Sequence, residues 1–145
     1  MLRIARPILL LMAMTAVSHA ESAGAPPYVI IVNAANPIST LPREKIADIF
    51  LRQMQTWPDG TPIVVVDLPP SSSVREAFTS DVLKQSVAQV QRYWQQQVFS
   101  GRGNPPNIKP YESLIAQYVM QHAGAVGYVS ANIKIDTVKV IAIAP

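Results

Sequence analysis

A run of hydroxyl side chains followed by a cation is the clearest chemical feature of the sequence. Three serines stand in a loop that leads into a helix, and an arginine falls in the first turn of that helix. The free N–H groups and the positive dipole end of a helix N-terminus bind oxyanions, and hydroxyls are additional donors. The pattern therefore predicts an oxyanion site formed by Ser71, Ser72, Ser73 and Arg75.

The same residues also have simpler interpretations. The serines are equally well explained as an N-cap with two polar loop neighbours. Arg75 could pair with Asp67 or Glu76 instead of an anion, or lie in solvent. Because a cation in the first turn opposes the helix dipole, Arg75→Ala is expected to change stability little and to weaken anion binding.

Other candidate donors flank the first strand–helix loop. Asn33 and Ser39 lie near the C-terminal end of a predicted strand, where open α/β sheets tend to bind ligands. Asn33 is also a common turn-forming residue, which is the alternative interpretation. Arg102 stands between two glycines, where a solvated loop charge is the simpler explanation than an anion contact.

The sequence argues against an enzyme. Cysteine is absent, which excludes a thiol nucleophile and Cys-based metal centres. The serine run lacks the G-x-S-x-G frame of a nucleophile elbow, and none of the nine carboxylates falls in a motif with a base or metal partner. His122, in the last turn of a predicted helix, complements the helix dipole. We therefore expect no catalytic residue, no metal site and no cofactor.

The N-terminus has the pattern of a secretory signal peptide. Arg3 and Arg6 precede an apolar run over Pro7–Val17, which ends in small residues at the −3 and −1 positions of a cleavage site after Ala20. The apolar run is too short to span a bilayer, which needs about 20 residues. The sequence thus predicts a signal peptide at 1–20, a flexible leader at 21–27 and a single periplasmic domain at 28–145, without stable membrane insertion after cleavage.

Charge excludes nucleic acid as an expected partner. Two of the twelve Lys and Arg residues fall in the signal segment, so the remainder has ten cations against nine Asp and Glu. No basic excess is left to bind phosphate backbones. Apolar residues make up 49% of the chain, enough to bury a core.

The hydrophobic pattern alternates strands with helices. Short apolar runs predict buried strands at Tyr28–Val32 and Pro62–Val66, and the last two strands at Ala125–Val129 and Val138–Ile143. Helical spacing predicts helices at 42–51, from Val74 to Val82, at 86–99 with Val87, Val90, Trp94 and Val98 on one side, and from 111 to about 124. Residues 100–110 hold two glycines and three prolines and are expected to be a loop. This order predicts an α/β domain with a largely parallel or mixed sheet.

Four segments, taken in order, resemble one protein family. They are the strand Val29–Asn33 followed by Asn-Pro, the I-x-x-I-F helix at Ile46–Phe50 leading to Trp-Pro-Asp-Gly, the stretch Phe99–Gly103, and the turn-strand Gly124–Val129. Together they resemble the C-terminal lobe of the phosphate-binding proteins of ABC importers, in the type 2 periplasmic-binding-protein superfamily. The resemblance covers nearly all of the chain after the signal segment. It implies one three-layer-like lobe, with about four helices around the sheet.

The resemblance also implies a ligand. Phosphate-binding members carry an Arg and then Asp-Gly-Ser-Gly-Thr where this chain has Asp67 and then Ser71–Ser73. Asp67 thus reverses the charge of the residue that grips phosphate, and Ser72 replaces a glycine. The chain is long enough for one lobe, whereas the family closes two lobes around its ligand. A periplasmic protein that binds phosphate or a related oxyanion weakly, linked to ABC transport, is therefore implied.

The alternative is a single-lobe interaction or sensor module of the cell envelope that has lost ligand binding. The missing lobe and the reversal at Asp67 both favour it. The partners expected under either hypothesis are an ABC permease, an envelope sensor, or a second copy that completes the site.

Overall fold

The computed structural model describes residues 24–145. The predicted signal peptide at 1–20, and the first part of the leader, lie outside the described residues. The strands are β1 Tyr28–Asn33, β2 Thr40–Pro42, β3 Val64–Asp67, β4 Asn107–Ile108, β5 Ala125–Ser130 and β6 Val138–Ala144. The α-helices are α1 Arg43–Phe50, α2 Ser73–Phe78, α3 Val87–Phe99 and α4 Glu112–Gln121, and α2 runs directly into a π-helical turn at Thr79–Leu83.

The strands form one mixed sheet in the order β2-β6-β1-β5-β3-β4. β1 is antiparallel to both its neighbours, β5 and β6, while β2 is parallel to β6 and β3 is parallel to β5 and β4. Four helices accompany the sheet, so the predicted α/β lobe with a mixed sheet is confirmed.

The sheet centre is apolar on both faces, as the β-branched runs predicted. Every residue of β5 from Ala125 to Val129 is buried, and Ile31 and Val32 of β1 are fully buried. Gly127 lets α4 lie close against this strand, since a Cβ there would be 2.7 Å from Ile115 Cγ2.

Aromatic rings join the helices to the sheet. Phe78 of α2 stacks on Tyr128 of β5 with ring centroids 4.0 Å apart, and Phe50 of α1 packs on Phe78 at 4.6 Å. Trp57, in the loop after α1, is buried and donates a hydrogen bond from Nε1 to the carbonyl of Gly124 at 3.1 Å. This packing fixes the loops at the ends of β3 and β5.

Helix α3 stands apart from this core. Val90 and Trp94 are buried as predicted, but neither belongs to the main core cluster. The expectation that Val98 lies on the same buried side is wrong: its side chain is 51% exposed and the adjacent Phe99 is 96% exposed. No other part of residues 24–145 covers the last turn of α3.

Two short strands were absent from the sequence prediction. β4 lies inside the proline-rich stretch predicted to be a loop, and β2 is a three-residue edge strand directly before α1. Within residues 24–145, no helix combines the length and the hydropathy needed to cross a membrane.

Candidate functional site

The serine loop connects the end of β3 to the start of α2. Ser72 caps the helix, because its Oγ accepts from the Arg75 N–H at 3.2 Å and its carbonyl accepts from the Glu76 N–H at 3.0 Å. The N–H groups of Ser73 and Val74, in the first turn, have no acceptor within the helix by α-helical geometry. Ser72 is therefore the N-cap of α2, and the backbone N–H groups of the two residues after it remain without an acceptor in the helix.

A cavity of about 420 Å³ opens between this loop and the start of α4. Two helix N-termini, those of α2 and α4, border the same space, which is a favourable electrostatic arrangement for an anion. The lining residues are Leu68, Pro69, Ser71, Ser72, Pro110, Tyr111, Glu112, Ser113 and Ile133. We call this space the serine-loop cavity.

Glu112 gives the serine-loop cavity a negative charge of its own. It is the first residue of α4, and its Oε1 accepts a hydrogen bond from the backbone N–H of Ser130. Its carboxylate lies at the positive end of the α4 dipole, which is the position where a bound oxyanion would be stabilised most. Sequence reasoning did not select Glu112. The only feature of the sequence that could have indicated Glu112 is that it is an acidic residue at a predicted helix start. Such residues are common in helices because they complement the helix dipole, so this feature does not indicate a site.

Arg75 is turned away from solvent and held by the protein. It is 5% exposed, its Nη1 donates to the Leu68 carbonyl at 2.7 Å, and its Nη2 lies 3.6 Å from Asp67 Oδ2. Of the alternatives that the sequence left open, pairing with Asp67 is the one in the structure. The expectation that Arg75→Ala changes stability little is wrong, because the substitution leaves the buried Asp67 carboxylate without its cation.

Asp67 is the centre of this buried network. Its Oδ1 accepts from the Leu68 N–H at 2.8 Å and from the Tyr128 hydroxyl. Burial raises the pKa of Asp67, and this outweighs the nearby Arg75 charge and the two hydrogen bonds, which lower it. Burial and the Asp67 charge raise the pKa of Tyr128, which stays a neutral donor.

Asn33 is fully used by the fold. Its Nδ2 donates to the carbonyls of Val119 and Met120 at 3.0 and 2.9 Å, and its Oδ1 accepts from the Ala35 N–H at 3.0 Å. The side chain thus satisfies the last carbonyls of α4. Its hydrogen bonds attach the loop after β1 to the end of that helix.

The structure separates the predicted site residues into groups. Ser71 and Ser72 line the serine-loop cavity, while Ser73 faces a different cavity beside Val74 and Ser130. Asn33, Ser39 and Arg75 do not line the serine-loop cavity, and Ser39 uses its carbonyl to accept from Ala142 N–H at 2.9 Å. Residues 24–145 contain no cluster of three or more His, Asp or Glu side chains able to hold a metal ion.

Comparisons with known proteins agree with this architecture. A family model described as a PBP superfamily domain matches residues 17–142. A phosphate transport receptor of ABC type from Vibrio cholerae has 25% sequence identity and a TM-score of 0.64; the match covers 79% of this chain and 45% of that one. A putative phosphate ABC transporter substrate-binding protein from Clostridium perfringens, with bound phosphate, has 22% identity and a TM-score of 0.65; the match covers 81% of this chain and 44% of that one.

A third structure, PstS from Borrelia burgdorferi, shares the fold at 10% identity with a TM-score of 0.63; the match covers 81% of this chain and 47% of that one. The chain therefore spans less than half the length of these proteins. No curated protein matches its sequence.

Proposed function

The chain belongs to the periplasmic-binding-protein superfamily, and from this premise we propose that it is a single-lobe solute-binding protein that takes part in phosphate transport. Its ligand is phosphate or a related oxyanion, held weakly at the serine-loop cavity. The fold supports a solute-binding role, since it is the fold of phosphate transport receptors. The oxyanion contact through Ser71 and Ser72 is the part of the proposal that needs testing.

One observation carries the proposal: two helix N-termini and two serine residues border a single open cavity. Each helix end presents unpaired N–H groups and a positive potential. Hydroxyls of Ser71 and Ser72 stand at the same wall, although Ser72 Oγ already accepts one hydrogen bond as the cap. This arrangement suits a small anion better than a neutral or cationic ligand.

The same site accounts for weak binding. The guanidinium of Arg75 is committed to Asp67 and to the Leu68 carbonyl, so it adds no charge-assisted bond to a ligand. Glu112 adds a repulsive charge at the cavity wall. With one lobe only, the ligand keeps part of its surface in water, where each hydrogen bond competes with solvent.

A second candidate is an interaction or sensor module that has lost ligand binding. The Arg75–Asp67 pair and the Glu112 carboxylate favour it, since the pair neutralises the Arg75 charge and Glu112 adds negative charge at the serine-loop cavity. Under either candidate we place the protein in the periplasm after removal of residues 1–20. An ABC permease, an envelope sensor or a second copy would be its partner, and no catalytic step is assigned.

The test is a thermal-melt series with phosphate, sulfate, nitrate and citrate at matched ionic strength. A ligand at ten times its dissociation constant stabilises by about 1.4 kcal/mol, a shift of a few degrees for a domain of this size. Glu112→Gln keeps an acceptor for the Ser130 N–H and removes the charge, so its shift with phosphate should exceed that of the wild type. Ser71→Ala should reduce the shift, and Ser39→Ala, in a separate exposed loop, is the control.

The outcomes separate the two candidates. A phosphate-dependent shift that grows in Glu112→Gln and shrinks in Ser71→Ala supports the oxyanion site. If neither the wild type nor Glu112→Gln shifts with any of the four anions, the ligand has been lost and the interaction module is the better account. N-terminal mass spectrometry of the protein from an envelope fraction tests cleavage after Ala20 separately.

A further inference from the structure

An apolar groove lies beside the last two turns of α3. It has a volume of about 560 Å³, and its apolar walls are formed by Pro70, Trp94, Val98, Phe99, Pro105 and Ile108. We call it the α3 groove. It shares no lining residue with the serine-loop cavity, so it is a separate feature of the molecule.

The walls of the α3 groove are unusually exposed for such side chains. Phe99 is 96% exposed, Val98 51% and Ile108 47%. Single exposed apolar residues are ordinary, but a contiguous set around a concavity marks an interaction surface. Phe99 lies at the rim and is almost fully exposed, so its ring contributes little to packing within residues 24–145.

Charge identifies the kind of occupant. From Lys84 to Tyr111 the sequence has four cations and no Asp or Glu. Arg92 precedes Phe99 by two helical turns and Arg102 follows it by three residues; neither forms an ion pair with any group in residues 24–145. Arg92 and Arg102 therefore leave unpaired positive charge close to Phe99 in the chain. A second copy that packed through this same surface would place like charges opposite each other, whereas an acidic partner complements them.

The neighbouring sheet edge restricts how such a partner binds. β4 is the strand at this edge of the sheet, but it is only two residues long. Pro105, Pro106 and Pro110 lie next to it and lack the N–H group that strand pairing needs, so the edge offers little backbone for strand addition. Recognition must therefore rest on side chains that enter the groove. A concave site also suits an inserted side chain better than a flat lipid surface.

We propose that the α3 groove binds an apolar segment of a partner protein flanked by Asp or Glu residues. The proposal does not depend on anion binding at the serine-loop cavity. It assigns the exposed end of α3 a role that the solute-binding fold does not require.

The experiment is selection of a random peptide library displayed on phage against the full chain. Enriched peptides should combine Leu, Ile or Phe with Asp or Glu, and synthetic versions should bind the wild type measurably by fluorescence polarisation. Phe99→Ser and Arg102→Glu should each weaken binding by about tenfold, and added salt should weaken the wild type more than Arg102→Glu. Val140→Ser is the control, because Val140 is an exposed apolar residue of β6, as exposed as Val98, and does not line the groove.

Three results would overturn the proposal. One is the absence of any enriched peptide whose binding depends on Phe99. Another is Phe99-dependent self-association in sedimentation velocity, which would make a second copy the occupant. The third is Phe99-dependent binding to vesicles with 30% anionic lipid and to no peptide, which would make the surface a membrane contact. Phosphate-dependent melting of Phe99→Ser should equal that of the wild type, so a failed anion site and a failed groove are distinguishable.

Discussion

At the scale of single residues, the structure replaces an expected ligand contact with an internal one. The family resemblance placed a carboxylate, Asp67, where an arginine is expected, and the structure supplies an arginine from the next helix. Arg75 reaches back from α2 to Asp67 and to the Leu68 carbonyl. The positive charge is thus retained in the molecule but is used to hold the β3–α2 loop.

Asp67 should make stability fall as pH rises. Burial raises the pKa of Asp67 in the folded protein above its value in the unfolded chain, which is about 4. The folded state then binds the proton more readily, so the free energy of unfolding decreases as pH rises through the interval from about 4 to the folded pKa. Urea unfolding at pH 4, 5.5 and 7 measures this effect.

Asp67→Asn provides the reference for that measurement, because position 67 then no longer titrates. The difference in unfolding free energy, wild type minus variant, should become smaller as pH rises. A difference that grows with pH would show that Arg75 and the hydrogen bonds lower the pKa of Asp67 instead.

Gly124 should not tolerate a side chain. A Cβ there would be 2.0 Å from the Pro62 carbonyl oxygen, a backbone atom that cannot rotate away. Gly124→Ala should therefore destabilise by about 1–3 kcal/mol or more, the range for overpacking. Gly103→Ala is the control, since its Cβ would meet no atom within 4 Å. Equal urea midpoints for the two variants would contradict this reading of the β5 start.

At the scale of elements, α3 depends on local interactions. It makes little contact with the main core, and its first turn is closed by a capping box: Ser86 Oγ accepts from Gln89 N–H at 3.1 Å, and Gln89 Oε1 accepts from Ser86 N–H at 2.8 Å. Ser86→Ala should cost about 1 kcal/mol. Hydrogen exchange should show faster exchange in α3 and unchanged exchange in β1.

Ser80→Ala, at an exposed position in the preceding π-helical turn, is the control for that experiment. If Ser86→Ala leaves hydrogen exchange in α3 unchanged, as Ser80→Ala should, the prediction is contradicted. Packing of Val90 and Trp94 then stabilises the helix without its cap.

The elements that could be predicted from sequence are those with strong local patterns. β1, β3, β5 and β6 are apolar runs; burial on both faces explains the pattern of β1 and β5, whereas in β6 only Ile141 is buried. β2 and β4 are too short to show a pattern, and their pairing is decided by the strands beside them. The antiparallel direction of β1 against both neighbours also depends on the whole chain path, which no local run encodes.

The candidate site was predictable in its loop but not in its charges. The position of Ser71–Ser73 before a helix follows from local sequence, and Ser72 caps that helix as one interpretation held. Arg75 is held by Asp67 and the Leu68 carbonyl at the end of β3, a choice among several partners that the sequence left open. Asn33 contacts backbone 86 residues away, at Val119, which no local pattern indicates. Glu112 lines the cavity only because α4 begins beside the serine loop in space.

At the scale of the whole molecule, the share of the related fold that the chain covers bears on the affinity to expect. The chain spans less than half the length of the phosphate transport proteins that share its fold. If the oxyanion proposal holds, phosphate should bind with a dissociation constant in the millimolar range, corresponding to about −4 kcal/mol. Chemical-shift titration of the Ser71–Ser73 amides measures it, with the amides of β6 as an internal control. Micromolar or tighter binding to the monomer would show that one lobe suffices.

The order of the strands has a consequence for biosynthesis. β1 occupies the middle of the sheet, yet both strands that flank it, β5 and β6, are the last two described in the chain. A ribosome must therefore synthesise residues 34–124 before β1 can acquire its first neighbour, β5, and such long-range pairing is slow to form. While these residues are synthesised the nascent chain lacks its central ladder, so it remains open to chaperones and to any machinery that handles unfolded polypeptide.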